Sequence, residues 1–211
     1  LVADRFVVPA REGDGAAVFI VDAADASVEP VVSMDLTRPL STVSFDGAAA
    51  SRVATGQQAR RAFADALLTA AAVLASEQLG VAERCLEMTI GHLKTRYQFG
   101  RPLGSFQALK HRLADLWVAV TQARAVARYA VGCVAADDAD TEVAVAVAQA
   151  HCSVVAVRAA EECVQMHGGI GFTWEHPAHL YLKRAKTTSI ALGTPDWHRE
   201  RLATLVDLAP A

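Results

Sequence analysis

The sequence predicts an α+β protein that is mostly helical, with a partial antiparallel β domain followed by an up-and-down helical bundle. Apolar residues alternate with period two in the first part of the chain and recur with a near-helical period after Val53. The later helical segments are long and their connections are short, which is typical of a bundle. We therefore predict a β domain over residues 1–53 and a helical domain over residues 54–211.

The first part of the chain predicts three or four short strands. Apolar runs over residues 5–9 and 16–22 flank a Gly-Asp-Gly segment that is typical of a hairpin. Further strands are predicted over residues 28–33 and over residues 41–46, which alternate before Gly47. A sheet of this size buries little surface. Because the chain also opens at Leu1, we expect that preceding segments are missing or that a partner covers the open side.

The rest of the chain predicts five helices, over residues 56–97, 105–135, 141–167, 177–187 and 195–208. Thr55, Ser105 and Thr194 are the predicted N-caps of the first, second and fifth helices. Pro195 at the first position of the last helix is typical of a helix start.

Composition excludes several classes of function. With 20 basic and 23 acidic side chains, the net charge is −3, and no basic stripe is present to bind nucleic acid. The four cysteines lack CxxC spacing, so we interpret them as buried thiols in a reducing compartment. Without a visible signal peptide or a charge-free apolar run of membrane-spanning length, we expect a cytoplasmic protein with no membrane partner.

A glycine-rich turn is predicted where the third helix ends, at Gly168, Gly169 and Gly171. Glycine permits positive φ and close approach of the backbone to another group. One interpretation is a helix stop with Gly168 just beyond the last turn. The other is a ligand site, because Gln165 stands one turn earlier and offers an amide donor and acceptor.

The loop after the first long helix gathers Arg96, Phe99, Phe106 and Gln107. Guanidinium, aromatic and amide groups together suit a ligand that combines an aromatic ring with a phosphate. The alternative is structural: the two phenylalanines anchor the loop and Arg96 is a surface cation. Without a family comparison, the structural interpretation is favoured.

Two further patterns have ordinary alternatives. Thr194 and Asp196 open a helix whose N-terminus could bind an anion, but capping explains them equally well and Asp196 would oppose a phosphate. His176 and His179 have i, i+3 spacing, yet no Glu or Cys joins them at ligand spacing. We therefore interpret the histidine pair as a solvated helix start and predict no metal.

Two motifs carry a resemblance to a known family. The pattern R-x-x-F-G-x-P-L-x-x-F-Q begins at Arg96, and Q-x-x-G-G-x-G-F begins at Gln165. Together, in this order, they resemble the acyl-CoA dehydrogenase family, and the segments over residues 181–185 and 190–194 agree. The resemblance covers the second half of that family's middle β domain and its C-terminal helical domain. The family's other segments do not occur in this chain.

The resemblance implies a flavin site at a subunit interface. In the family, FAD lies between subunits, and the two motifs contact its adenine and pyrophosphate. Carried over, the FAD contacts would be Arg96, Phe99, Phe106, Gln107, Gln165, Gly168 and Gly169, with Thr194 and Asp196 near the pyrophosphate. The implied partners are an acyl-CoA substrate and an electron-transferring flavoprotein.

The chain departs from the family at the catalytic base. The family uses a glutamate to remove the α-proton of the acyl thioester, and Leu192 stands at the usual position. A subset places the glutamate on the first long helix, which corresponds here to Ala70. Neither side chain can accept a proton. Asp65 and Glu77 flank Ala70 but lie more than one helical turn away, so we expect them to face elsewhere.

The sequence therefore predicts a non-catalytic subunit of an acyl-CoA dehydrogenase heterotetramer, similar to the α2β2 type of actinobacterial steroid breakdown. A partner subunit would supply the glutamate while this chain completes the FAD site. Three alternatives stay open: a homo-oligomeric dehydrogenase with a displaced base, a flavin monooxygenase or oxidase on the same fold, and a flavin-free structural subunit.

Overall fold

A computed structural model describes residues 3–208 of the chain. Within that range the chain forms two compact units, one ending at Leu68 and the other beginning at Thr69. Helix α1 (Gly56–Thr95) runs through the division between the units. The domain boundary predicted between residues 53 and 54 stays a prediction.

The first unit contains a three-stranded antiparallel sheet in the order β1 (Arg5–Glu12), β2 (Gly15–Asp22), β5 (Ala50–Thr55). Glu12 pairs with Gly15 across a two-residue turn, which confirms the predicted hairpin. Strands β3 (Ser27–Val31) and β4 (Leu40–Ser44) form a separate antiparallel pair. Both end earlier than the sequence predicted.

Strand β5 was missed by the sequence analysis, and the N-cap predicted at Thr55 stays a prediction. Thr55 is the last residue of β5, and Gly56, with φ +55°, follows it at the start of α1. Val53 is the only large apolar side chain in β5, so the strand has no period-two pattern to detect. Its pairing with β2 and the ion pair between Arg52 and Glu12 (2.9 Å) fix its place instead.

The second unit is a helical bundle with the Ala/Val-rich helix α3 (Thr141–His167) at its centre. Helix α3 packs against α2 (Gln107–Ala136), α4 (Ala178–Thr188) and α5 (Pro195–Leu205). Small side chains such as Ala156, Ala159 and Ala160 are fully buried and let neighbouring helices approach closely. The predicted bounds of α3 are confirmed.

Two of these helices contain stretches that are long and apolar enough to cross a membrane. In the stretch that includes α3, 67% of the most apolar window is buried inside the protein, which is typical of a core helix. The corresponding share for α1 is 28%. Burial in the bundle therefore explains why the stretch in α3 has few charged residues.

Buried amides join α1 to the other helices. The Nε2 of Gln78 donates to the hydroxyl of Ser153 and to the carbonyl of Thr188, both at 3.0 Å. The Nε2 of Gln149 donates to the carbonyl of Ala71 at 2.5 Å. Both glutamines are fully buried, so these bonds fix α1 against α3 and α4.

All four cysteines, Cys85, Cys133, Cys152 and Cys163, are buried and form no disulfide, which confirms the prediction of buried thiols. Burial raises the pKa of the Cys152 thiol to about 12. This thiol is therefore protonated at neutral pH.

Candidate functional site

A cavity of about 400 Å³ brings the two sequence motifs together. Arg96, which directly follows α1, lines it together with Gln165, Gly168 and Gly169 at the end of α3. This volume lies within the range of about 300–1,000 Å³ that is usual for ligand pockets. Its lining combines a guanidinium, a side-chain amide and bare backbone.

The glycines of the turn have different functions: some line the cavity, and another is required for packing against α3. Gly168 ends α3 with φ +62°, and its N–H donates to the carbonyl of Gln165, which confirms the predicted helix stop. A Cβ added at Gly168 or Gly169 would meet no atom within 4 Å. A Cβ at Gly171 would lie 2.6 Å from the carbonyl oxygen of Val164, so Gly171 is required for packing. The first two glycines leave the backbone open to a ligand.

The loop after α1 is a two-residue hairpin, and the first helix ends at Thr95, two residues earlier than predicted. Strand β6 (Tyr97–Gln98) pairs with β7 (Arg101–Pro102), and Phe99 and Gly100 form the turn with φ +54° and +75°. Ser105 is not the cap of α2, because residues 103–105 form a 3-10 turn and Phe106 occupies the N-cap position.

The aromatic residues of this loop lie beside the cavity and do not line it. Phe99 is 89% exposed and meets the half-buried Phe106 edge to face, with ring centroids 6.2 Å apart. The guanidinium of Arg101 lies 3.9 Å above the Phe106 ring. Gln107 is exposed at the start of α2. An anchoring role therefore fits Phe106 and does not fit Phe99.

Three charged or ionisable residues of the cavity wall were missed: His92, Arg112 and His167. His92 lies one turn before Arg96 on the same face of α1, a spacing that could have signalled it. Arg112 belongs to α2, and its Nη2 contacts the Glu162 carboxylate of α3 at 2.6 Å. Nothing in the sequence pairs Arg112 with the two motifs.

Three histidine rings form a continuous stack beside this wall. His167 lies 4.4 Å from His92 and 4.2 Å from His176 between ring centroids. The Nδ1–H of His167 donates to the carbonyl of Cys163 at 2.6 Å. Burial lowers the pKa of His92, and repulsion from His167, His176 and Arg96 lowers it further. Burial, followed by His167 and His179, also lowers the pKa of His176.

The predicted helix start is confirmed, because α4 begins at Ala178, between His176 and His179, but the prediction that this pair is solvated is wrong. Both are half-buried, and the ring of His179 lies 4.6 Å from that of Trp174. Ring stacking of His176 against His167 explains why this segment stays close to the end of α3.

The turn that carries Leu192 is held by backbone and aromatic contacts. Leu192 has φ +58°, and its carbonyl oxygen lies 3.1 Å from the Nε2 of the buried His198. Burial lowers the pKa of His198, although the hydrogen bond to Leu192 opposes that shift. A Cβ at Gly193 would lie 2.5 Å from the Trp197 ring. This turn therefore presents a leucine, in a left-handed conformation, at the position that the family resemblance assigns to the catalytic glutamate.

Thr194 and Asp196 act within helix α5. The Thr194 hydroxyl accepts from the N–H of Trp197 at 3.2 Å, which confirms the predicted N-cap. The Asp196 carboxylate accepts from Arg199 at 2.5 Å. Neither residue is among those that line the cavity.

Glu77 is held in an ion pair. This ion pair, and not the helix face predicted from the sequence, is the reason that Glu77 does not replace the catalytic base. Glu77 follows Ala70 by two helical turns in the continuous helix α1, so it lies near the same face and not on another one as expected. Its carboxylate accepts from the Nε of Arg184 at 3.0 Å. Asp65 precedes Ala70 by five positions and lies on a different face.

Comparisons with known proteins identify the family of this chain. The family model for the acyl-CoA dehydrogenase C-terminal domain matches residues 60–206. Acyl-CoA dehydrogenase IpdE2 of Mycobacterium tuberculosis is 44% identical over 184 residues, which cover 87% of this chain and 53% of IpdE2. Acyl-CoA dehydrogenase FadE27 of the same organism is 35% identical over 219 residues, 100% of this chain and 58% of FadE27. The chain thus spans about half the length of these relatives.

Solved structures extend the comparison. The ChsE4–ChsE5 complex of Mycobacterium tuberculosis superposes with a TM-score of 0.84 and 34% identity, covering 100% of this chain and 57% of the matched chain. A variant of the Tcur3481–Tcur3483 steroid ACAD gives a TM-score of 0.83 and 31% identity, covering 97% and 55%. The described fold therefore matches chains that belong to two-protein assemblies.

Proposed function

We propose that this chain, which belongs to the acyl-CoA dehydrogenase family, is a subunit that completes an FAD site while a partner subunit supplies the catalytic glutamate. The assembly would desaturate an acyl-CoA thioester between its α- and β-carbons. The observation that carries the proposal is the meeting of Arg96 with the Gln165–Gly169 turn at one cavity, combined with Leu192 at the position of the base.

The cavity suits the phosphate end of FAD. A guanidinium binds phosphate oxygens through charged hydrogen bonds, and Arg96 lines the wall that the glycine turn faces. Gly168 and Gly169 present backbone without side chains, so a diphosphate could approach closely. Gln165 adds an amide that can both donate and accept. Phe99, Phe106 and Gln107 on the adjoining loop remain proposed contacts for FAD, and Thr194 and Asp196 at α5 remain proposed near its pyrophosphate.

The proton and the hydride would have different acceptors. Bound FAD supplies a hydride acceptor for the β-carbon of the substrate. The α-proton requires a carboxylate, and neither Leu192 nor Ala70 can provide one. Glu77 is engaged by Arg184. A carboxylate from a partner subunit is therefore the simplest source, and this disfavours a homo-oligomer with a displaced base.

An assembly is further supported by the surface of α2. Its side chains Trp117, Val118 and Tyr129 are exposed, and apolar exposure of this kind is common where subunits meet. The similarity to the ChsE4–ChsE5 complex and to the Tcur3481–Tcur3483 steroid ACAD supports a second protein as the partner. The latter also favours a steroid side-chain CoA ester as substrate. An electron-transferring flavoprotein would reoxidise the flavin, and we propose a cytoplasmic location.

Co-expression tests this proposal. We expect this chain to give flavin-containing, active dehydrogenase only together with a partner that retains a glutamate at either base position. A partner with that Glu changed to Gln should keep the flavin, but acyl-CoA should no longer bleach it under anaerobic conditions. The proposal fails if this chain alone binds FAD and oxidises acyl-CoA. Turnover that consumes oxygen would indicate an oxidase or monooxygenase, and a colourless assembly would indicate a structural subunit.

A further inference from the structure

The histidine stack connects three separate segments to the cavity. His92 comes from α1, His167 from the end of α3, and His176 from the segment before α4. His92 and His167 line the cavity, whereas His176 stacks on the other neighbour of His167. The His167 ring donates its Nδ1–H to a backbone carbonyl oxygen. Because that oxygen only accepts, Nε2 is the atom of His167 that can gain a proton.

The charged groups that face the stack come from every packed element. Arg96 faces His92 along α1, His179 of α4 faces His176, and the Cys163 thiol lies 3.6 Å from the His167 ring. Across the cavity, the Arg112 guanidinium of α2 is held by the Glu162 carboxylate. The groups that shift the pKa of His92 and His176 are other histidines and Arg96, which are cationic when charged, so they oppose protonation of the stack.

An anion in the cavity would reverse this balance. A negative charge near an imidazole favours its protonated form, and burial strengthens that effect. By linkage, a ligand that promotes protonation of the stack binds more tightly when protons are available. We infer that the stack of His92, His167 and His176 couples the binding of a diphosphate-bridged dinucleotide in this cavity to proton uptake. This inference rests on the proposed function of the cavity as a phosphate site.

The sign and size of the effect follow from the linkage. Without ligand, burial and neighbouring groups hold the pKa of His92 and of His176 below the ordinary value. With FAD, whose diphosphate stays ionised throughout this range, His92 and His176 take up protons as the pH falls towards about 6. Affinity should then rise by up to about tenfold per pH unit for each proton taken up.

A binding titration tests the coupling without relying on enzyme turnover. The flavin-depleted native assembly is titrated with FAD at about pH 8, 7 and 6 and constant ionic strength, with flavin fluorescence as the readout. ADP-ribose, which carries the same diphosphate and adenosine, is used as a competitor. We expect the Kd of both ligands to decrease as the pH falls.

Variants locate the titrating groups. His92→Gln and His176→Gln, on different segments, should each flatten the pH dependence of Kd, while His111→Gln, an exposed histidine of α2 outside the cavity lining, should keep the wild-type slope. The coupling is wrong if the wild-type Kd is independent of pH or if both stack variants retain the slope. If the Kd for FAD does not change with pH but increases strongly when Arg96 is substituted, the coupling is wrong and the proposed function still holds. Failure to bind FAD at any pH would overturn the proposed function and the coupling with it.

Discussion

Gly169 and Gly171 stand two positions apart in the turn after α3, yet their surroundings differ. A Cβ at Gly169 would point into open space, whereas one at Gly171 would contact the Val164 carbonyl and the His167 side chain. Both glycines belong to the sequence motif, but the motif does not show that their structural roles differ. Only the packing shows that one shapes the cavity and the other closes the turn against α3.

This difference gives a matched pair of substitutions. Gly169→Ala should preserve the free energy of unfolding or raise it by up to about 1 kcal/mol, because its φ is not in the positive range. Its methyl group would narrow the cavity, so FAD should bind about tenfold more weakly, a loss of about 1.4 kcal/mol. Gly171→Ala should cost about 1–3 kcal/mol of stability through overpacking. Urea unfolding and flavin titration measure both effects, and equal behaviour of the two variants would contradict the assignment.

Arg96 is exposed, and exposure alone suggests a surface cation. Its position on the cavity wall predicts a different role. Arg96→Ala should weaken FAD binding by about 1.5–3 kcal/mol, the usual contribution of a hydrogen bond to a charged group. Arg128→Ala removes an exposed arginine of α2 outside the cavity lining and serves as the control. Equal flavin affinities in the two variants would show that Arg96 does not contact the phosphates.

At the scale of elements, the periodicity of apolar residues predicted all five long helices within residues 3–208 but only four of the strands. The bounds of the 27-residue helix α3 were predicted correctly because the helix is long and apolar. The start of α5 was predicted because Thr194 and Pro195 mark it, but α5 ends at Leu205, three residues earlier than predicted. Strand β5 gave no signal, since its place depends on pairing with β2. The histidine stack could not be predicted either, because its members come from three segments and only the tertiary fold brings them together.

The buried amide of Gln78 should be a major link between α1 and the rest of the bundle. Gln78→Ala would leave the Ser153 hydroxyl and the Thr188 carbonyl without their donor, at a cost of about 1–3 kcal/mol. Gln122→Ala, on the exposed face of α2, should change stability by no more than about 0.5 kcal/mol. Chemical denaturation compares the two, and a Gln78→Ala protein as stable as the control would exclude this link.

At the scale of the whole molecule, two properties support the role that we propose for this chain. Its helical unit forms a cavity from motifs that are far apart in sequence, and its base positions hold Leu192 and Ala70. The convergence of those motifs was expected from the family resemblance and not from their spacing, which left ordinary helix capping and loop anchoring as alternatives. The lack of a base was already visible in the sequence, because it depends only on side-chain identity.

A structure of the native assembly with FAD tests the central claim most directly. We predict that the diphosphate of FAD lies within hydrogen-bonding distance of the Arg96 guanidinium and beside the backbone of Gly168 and Gly169. A map in which FAD is bound elsewhere, with no ligand density between Arg96 and Gln165, would contradict the account.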